Sequence, residues 1–113
     1  MSIETLIHDW RLAVDDYAKA KAEAEYLKEF RKSKKAILMQ EAQADPKKGM
    51  KTGQERETYA YAHTEYLELL DGLKVATKEA EQLRWRMTIA QERVNVWRTK
   101  QASARKEQGM YGA

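Results

Sequence analysis

The amino-acid sequence predicts an all-α protein in which two long helices fold back on each other as an antiparallel coiled-coil hairpin. Apolar residues recur every three or four positions along most of the chain. The one proline and two of the five glycines fall together near the middle, where they indicate a turn. Blocks of acidic and basic residues alternate, and opposite blocks face each other when the chain reverses at that turn.

The first helix is predicted from about residue 2 to about residue 44, with Ser2 as a plausible N-cap. Its apolar stripe loses regularity in the second half, because Arg31 and Lys34 occupy positions where the repeat requires apolar residues. We therefore expect the register of this helix to drift there. The residues assigned to the stripe are Ile3, Leu6, Ile7, Trp10, Val14, Tyr17, Ala20, Ala24, Leu27, Phe30, Ile37 and Leu38.

A loop is predicted over residues 45–53. Pro46 disfavours the helical conformation at the residue before it and cannot continue a helix itself. Gly49 and Gly53 supply the backbone freedom of a reversal.

The second helix is predicted from about residue 54 to about residue 107, followed by a flexible, glycine-containing tail over residues 108–113. Its apolar residues keep the a/d spacing of coiled coils, which defines a seam, the row of positions that faces the neighbouring helix. The chain is thus expected to form a single helical-hairpin domain over residues 1–113. The seam positions are Tyr59, Ala62, Tyr66, Leu69, Leu73, Ala76, Ala80, Leu83, Met87, Ala90, Val94 and Trp97.

The charge blocks support an antiparallel arrangement. Residues 1–25 carry six acidic and three basic side chains, and residues 84–106 carry one acidic and seven basic. Residues 28–51 carry three acidic and eight basic side chains, and residues 55–81 carry seven acidic and three basic. Each exposed pair contributes only about 0–1 kcal/mol. The overall arrangement nevertheless disfavours parallel pairings.

Two clusters keep positive charge that this pairing leaves unmatched, and both are candidate nucleic-acid contacts, since clustered Lys and Arg bind phosphates. The alternative for both is ordinary solvated charge. One cluster lies in the loop and the other where the second helix overhangs the first: Lys47, Lys48 and Lys51, and Arg98, Lys100, Arg105 and Lys106.

A second stripe lies off the seam of the second helix, and its residues recur at spacings that share a helix face. We expect an oligomer interface, at which hairpins assemble into a larger helical bundle. The alternatives are a docking surface for another protein, because Trp and Arg are favoured there, and stacking of Trp85 on a nucleic-acid base. The face comprises Val75, Arg84, Trp85, Arg86, Ile89, Arg93 and Val96.

The composition argues against catalysis. Cysteine is absent, which excludes disulfides and thiolate chemistry, and the two histidines, His8 and His63, are not spaced as metal ligands. We expect no catalytic residue, no metal and no cofactor, and therefore not an enzyme. No apolar run approaches the about 20 residues that span a bilayer, so the expected location is cytoplasmic.

Three segments of the chain resemble a known group of proteins. They are residues 80–98 (AEQLRWRMTIAQERVNVWR), 101–105 (QASAR) and 35–39 (KAILM). They are similar to short, largely uncharacterised helical proteins of tailed bacteriophages and prophages, which are often encoded near recombination or replication genes. The resemblance implies a phage protein acting in the host cytoplasm.

The function expected from this resemblance is that of a non-enzymatic accessory protein in DNA recombination or replication. It would bind nucleic acid weakly or bind a recombination or replication protein. The alternatives are an adaptor or an inhibitor of a host protein that acts through the Trp85 face, or a structural component of the virion.

Overall fold

The structure is a computed structural model that describes residues 2–111, without the side chains of Lys48, Met110 and Tyr111. Regular structure in this part of the chain is entirely helical, which confirms the predicted all-α class. The elements are α1 (Ile3–Ala44), a 3-10 turn (Pro46–Lys48), α2 (Gly53–Ala62) and α3 (Thr64–Tyr111).

The predicted single domain divides into two compact units. Unit 1 combines α1 up to Lys19 with α3 from Ala80 onwards, and unit 2 comprises residues 20–79. In both units the contacts run in the antiparallel sense. In unit 2, Lys34 of α1 pairs with Glu65 near the start of α3. In unit 1, Leu6 near the start of α1 shares a groove with Lys100 near the end of α3.

Capping side chains fix the start of α1 and the chain reversal. The Ser2 hydroxyl accepts the backbone N–H of Thr5 at 3.2 Å, as expected of an N-cap. In the reversal, the Asp45 carboxylate accepts the N–H of Lys47 at 2.9 Å. Gly49 adopts the left-handed conformation, with φ of 62°, that glycine tolerates best.

The start of α2 is capped from both sides. The Thr52 hydroxyl accepts the N–H of Glu55 at 3.1 Å, and the Glu55 carboxylate accepts the N–H of Lys51 at 3.0 Å. This reciprocal arrangement resembles a capping box. Helix α2 consequently starts at Gly53, a residue that the sequence placed in the loop.

The second predicted helix is two helices, because His63 interrupts it with an extended backbone (φ −67°, ψ 136°). Its carbonyl accepts the N–H groups of Tyr66 and Leu67 at 3.0 Å each. The Nδ1 atom of its imidazole accepts the N–H of Glu65 at 3.1 Å, so this side chain caps α3.

The interruption changes which alanine of α2 is buried. Ala60 is 0% exposed and packs with Leu38 and Tyr66 in the core of unit 2. Ala62, which the seam prediction had placed inward, is exposed. The other eleven positions of the predicted seam are buried or partly buried, so the pattern is confirmed from Tyr66 onwards.

The expected drift of register in α1 is wrong. Arg31 and Lys34 stay on the buried side at partial exposure, whereas Phe30 and Ile37, which the stripe included, are exposed. The repeat continues through the polar pair because the long side chains carry their charges to the edge of the interface. In the first half, Val14 is likewise exposed.

Small residues dominate the core of unit 1. Its buried residues are Leu6 and Ala13 of α1 and Ala80, Ala90 and Val94 of α3. Helix α3 continues to Tyr111, past the expected end at 107, and residues 101–109 are all exposed. Of the predicted tail, Gly112 and Ala113 lie outside the described residues.

Candidate functional site

The C-terminal end of α3, which we call the overhang (residues 98–109), has no helix facing it beyond Lys100. The reason is that α1 begins at Ile3, and Leu6 already shares a groove with Trp97 and Lys100. The side chains of residues 101–109 are consequently all exposed.

The overhang carries a cluster of four cations and one acidic residue, Glu107. No acidic residue occurs between positions 98 and 106. Among the described residues, none forms an ion pair with the four basic side chains of this segment. Two of them, Arg98 and Arg105, lie seven residues apart and therefore share a helix face, about 10 Å apart along the axis. The cluster comprises Arg98, Lys100, Arg105 and Lys106.

The loop cations sit in a different environment. Lys47 and Lys51 are exposed in unit 2, but their own backbone N–H groups donate to the carboxylates of Asp45 and Glu55. Negative charge is therefore built into the loop. The side chain of Lys48 lies outside the described residues. The overhang also has carboxylates nearby, because Glu107 follows Lys106 and Asp15 lines a groove with Arg98. None of its four cations forms an ion pair in the described part of the chain.

The Trp85 face lies in unit 1 and is open to solvent. Trp85 and Ile89 are 54% and 53% exposed, and Val96 is similarly exposed. They line an apolar groove of about 600 Å³ that also includes Arg93 and Lys100. Val75, which the sequence assigned to the same face, belongs to unit 2.

Trp85 is held in one orientation by its own helix. Its indole N–H donates to Glu81 Oε1 at 3.1 Å, and the Arg84 guanidinium carbon lies 4.5 Å from its ring centroid. Arg84 also forms an ion pair with Glu81, 2.6 Å between Nη2 and Oε1. This hydrogen bond lowers the pKa of the Glu81 carboxyl and raises that of the Arg84 guanidinium.

Sequence reasoning missed Glu81, although its spacing of three and four residues from Arg84 and Trp85 is the signal for such contacts. Arg84, which was predicted as part of the interface, lies over the Trp85 ring and pairs with Glu81. The indole presents a preset surface, which reduces the entropy lost on binding.

A second groove, of about 500 Å³, runs between α1 and α3 on the same side of unit 1. Helix α1 contributes Asp9, Leu12 and Asp16 to it, and Leu12 is 50% exposed. Helix α3 contributes residues of the Trp85 face, including Arg86 and Arg93. The α1 residues were not foreseen as part of any site.

Two lysines of unit 2, in contrast, form ion pairs across the helices. Lys34 donates to Glu65, and this hydrogen bond lowers the pKa of the Glu65 carboxyl. Lys35 donates to Glu57 at 2.8 Å and lies 4.7 Å from the Tyr61 ring centroid. The hydrogen bond to Glu57 is the main reason why the pKa of Lys35 is raised.

Comparison with protein-family models, with curated proteins and with solved structures finds no match. The resemblance to phage proteins therefore stays an expectation of the sequence. Within residues 2–111, no group of three or more His, Asp and Glu side chains is arranged to hold a metal ion. None of the helices in this part of the chain is both long and apolar enough to cross a bilayer.

Proposed function

We propose that this protein is a non-enzymatic accessory protein that binds nucleic acid through the overhang of α3 and assists DNA recombination or replication. The observation that carries the proposal is the cluster of four exposed cations near the C-terminal end of α3, Arg98, Lys100, Arg105 and Lys106. Arg98 and Lys100 line grooves shared with α1, whereas among the described residues no other helix covers Arg105 and Lys106. None of them is paired with a carboxylate among the described residues.

Clustered cations of this kind bind the phosphate backbone of either single- or double-stranded DNA. Neutralising phosphates releases condensed counterions, so affinity falls as salt rises, with a slope of about −0.9 per phosphate on duplex DNA. Four side chains supply only a few contacts. The expected binding is therefore weak and insensitive to sequence, as suits an accessory role.

The connection to recombination or replication rests on the resemblance of residues 80–98 and 101–105 to phage proteins. The same resemblance allows the protein to act by binding a recombination or replication protein, with DNA contacts in support. The resemblance also includes residues 35–39 of unit 2, whereas the overhang belongs to unit 1.

Fluorescence anisotropy with labelled single- and double-stranded DNA tests the proposal. Replacing Arg98, Lys100 and Arg105 by Ala removes three candidate contacts and should weaken binding at low salt by about tenfold or more. The dependence of log K on log salt, measured between about 50 and about 200 mM, should become shallower by about 2–3 on duplex DNA.

A matched control separates the site from net charge. Lys28, Lys74 and Lys78 are exposed in unit 2, and changing them to Ala lowers the formal net charge equally. The affinity of this control for DNA should lie within about twofold of that of the unchanged protein. Equal losses in both triple variants, or no binding at low salt, would refute a nucleic-acid site at the overhang.

A second candidate function is protein docking at the Trp85 face, favoured by the fixed and half-exposed indole. In this role the chain is an adaptor, an inhibitor of a host protein or a virion component. Trp85→Ala or Ile89→Asp should then abolish capture of the partner while helicity and DNA affinity stay unchanged. If either variant still captures the partner, this role is excluded.

A further inference from the structure

The two helices of unit 1 present matching triplets of opposite charge along their shared groove. On α1, Leu12 stands between Asp9 and Asp16, and on α3, Ile89 stands between Arg86 and Arg93. In each triplet the charged residues are seven positions apart, which is two helical turns or about 10.5 Å. The acidic pair therefore has the same spacing as the basic pair.

The apolar members of this surface are half exposed in the described part of the chain. Leu12 and Ile89 are 50% and 53% exposed, and Trp85 beside them is 54% exposed. In the described part of the chain, no ion pair joins either aspartate to either arginine. Apolar residues and opposite charges are thus presented together and unsatisfied, as at protein interfaces.

We propose that the occupant of this groove is a second copy of the chain, related to the first by a two-fold axis parallel to the helices of unit 1. Such a rotation exchanges the two edges of the groove, so α1 of each protomer lies on α3 of its partner. An axis across the helices would instead set acidic edge against acidic edge. Charge complementarity therefore selects the parallel two-fold arrangement.

In this arrangement the charged and the apolar residues of both triplets contact partners on the other protomer. Leu12 of one protomer packs against Ile89 and Trp85 of the other, and the aspartates of each protomer face the arginines of its partner. Because a parallel axis preserves direction, both overhangs emerge at the same end of the dimer. This goes beyond the proposed function, and it would present two phosphate-binding ends side by side.

A charge-swap experiment tests the proposal. The variants R86E/R93E and D9K/D16K each place like charges across the interface, so each alone should be monomeric by sedimentation velocity. Mixed in equal amounts, they should form a heterodimer of twice the chain mass, because one half pairs Asp with Arg and the other pairs Glu with Lys.

The controls address folding and unrelated charge. Helicity by circular dichroism should match the unchanged protein in every variant. The variant R98E/R105E, which makes the same charge change outside the groove, should remain dimeric. It should lose DNA affinity, so loss of self-association and loss of nucleic-acid binding are read separately.

The unchanged protein should sediment as a dimer at concentrations of about 10–100 μM. A monomer at about 100 μM would overturn the proposal, and binding of a different protein at Trp85 by that monomer would assign the groove to a heterologous partner. If the unchanged protein is a dimer but the mixed variants stay monomeric, the two-fold pairing described here is wrong.

Discussion

Units 1 and 2 share two helices, α1 and α3, yet they use their charges differently. In unit 2, Lys34 and Lys35 of α1 form ion pairs with Glu65 and Glu57 from the helices that follow the reversal. In unit 1, the ion pair that the structure shows, Arg84 with Glu81, joins neighbours on one helix. The difference is that ion pairs join separate helices in unit 2, whereas none joins α1 to α3 in the described part of unit 1.

The two units also bury different side chains. Unit 2 buries Leu38, Ala60 and Tyr66 as one cluster, with partly buried apolar residues packed against it. Unit 1 buries three alanines with Leu6 and Val94 and leaves Trp85 and Ile89 half exposed. Unit 2 also has exposed large apolar side chains, among them Tyr26 and Val75. A large apolar residue that stays at the surface contributes little to folding and is free to contribute to binding.

The largest expected effect separates folding from binding. Leu38 is 1% exposed, so Leu38→Ala should lower the free energy of unfolding by about 2–5 kcal/mol in urea titrations followed by circular dichroism. Trp85→Ala is a larger truncation at an exposed position. It should lower the free energy of unfolding of the monomer by less than about 1 kcal/mol. Equal decreases in the free energy of unfolding in the two variants would show that Trp85 contributes to folding as much as the buried Leu38.

The next effect tests the interruption at His63. Ala60 is fully buried, so Ala60→Leu should overpack the core of unit 2 and lower the free energy of unfolding by about 1–3 kcal/mol. Ala62→Leu, two residues on at an exposed position, should change it by less than about 0.5 kcal/mol. The reverse order would mean that α2 and α3 form one continuous helix.

A smaller effect concerns the cap of α3. His63→Ala removes the Nδ1 acceptor of the Glu65 N–H and should lower the free energy of unfolding by about 1 kcal/mol. His63→Asn retains a side-chain acceptor and should recover most of the loss in the same thermal or urea melts. A stability of His63→Ala equal to that of the unchanged protein would exclude the capping role.

The smallest effect is electrostatic. The hydrogen bond from Lys34 lowers the pKa of the Glu65 carboxyl, so its contribution to stability is present above the ordinary glutamate pKa and is lost as the pH falls through the lowered value. In Lys34→Met, the pKa of Glu65, followed by NMR of its side-chain carbonyl carbon, should rise towards the ordinary value. An unchanged pKa would show that the pair does not form in solution.

The sequence predicted the helical class and most of the α3 seam, because a/d spacing depends only on local periodicity. It missed the break at His63, where no glycine or proline marks an interruption. The break depends on a histidine nitrogen that caps the following helix, and histidine is not among the usual capping residues. As a direct consequence, the prediction placed Ala62 rather than Ala60 on the buried side of the helix.

The other errors of the sequence prediction concern side chains whose partners are distant along the chain. Lys34 looked misplaced on an apolar stripe because its counter-charge, Glu65, lies 31 positions away along the chain. The acidic and basic blocks correctly suggested an antiparallel pairing. Block counts alone could not show that the opposite charges of unit 1 would remain apart across a groove.

The claim that unit 1 carries the binding surfaces and unit 2 is self-contained is tested most directly by amide NMR spectra of the labelled protein. Spectra are recorded on dilution and on addition of DNA. The account predicts that dilution shifts signals near Leu12 and within residues 82–97, and that DNA shifts signals within residues 98–106. Signals of residues 20–79 should stay in place in both series. Shifts concentrated in residues 20–79, or none in unit 1, would contradict it.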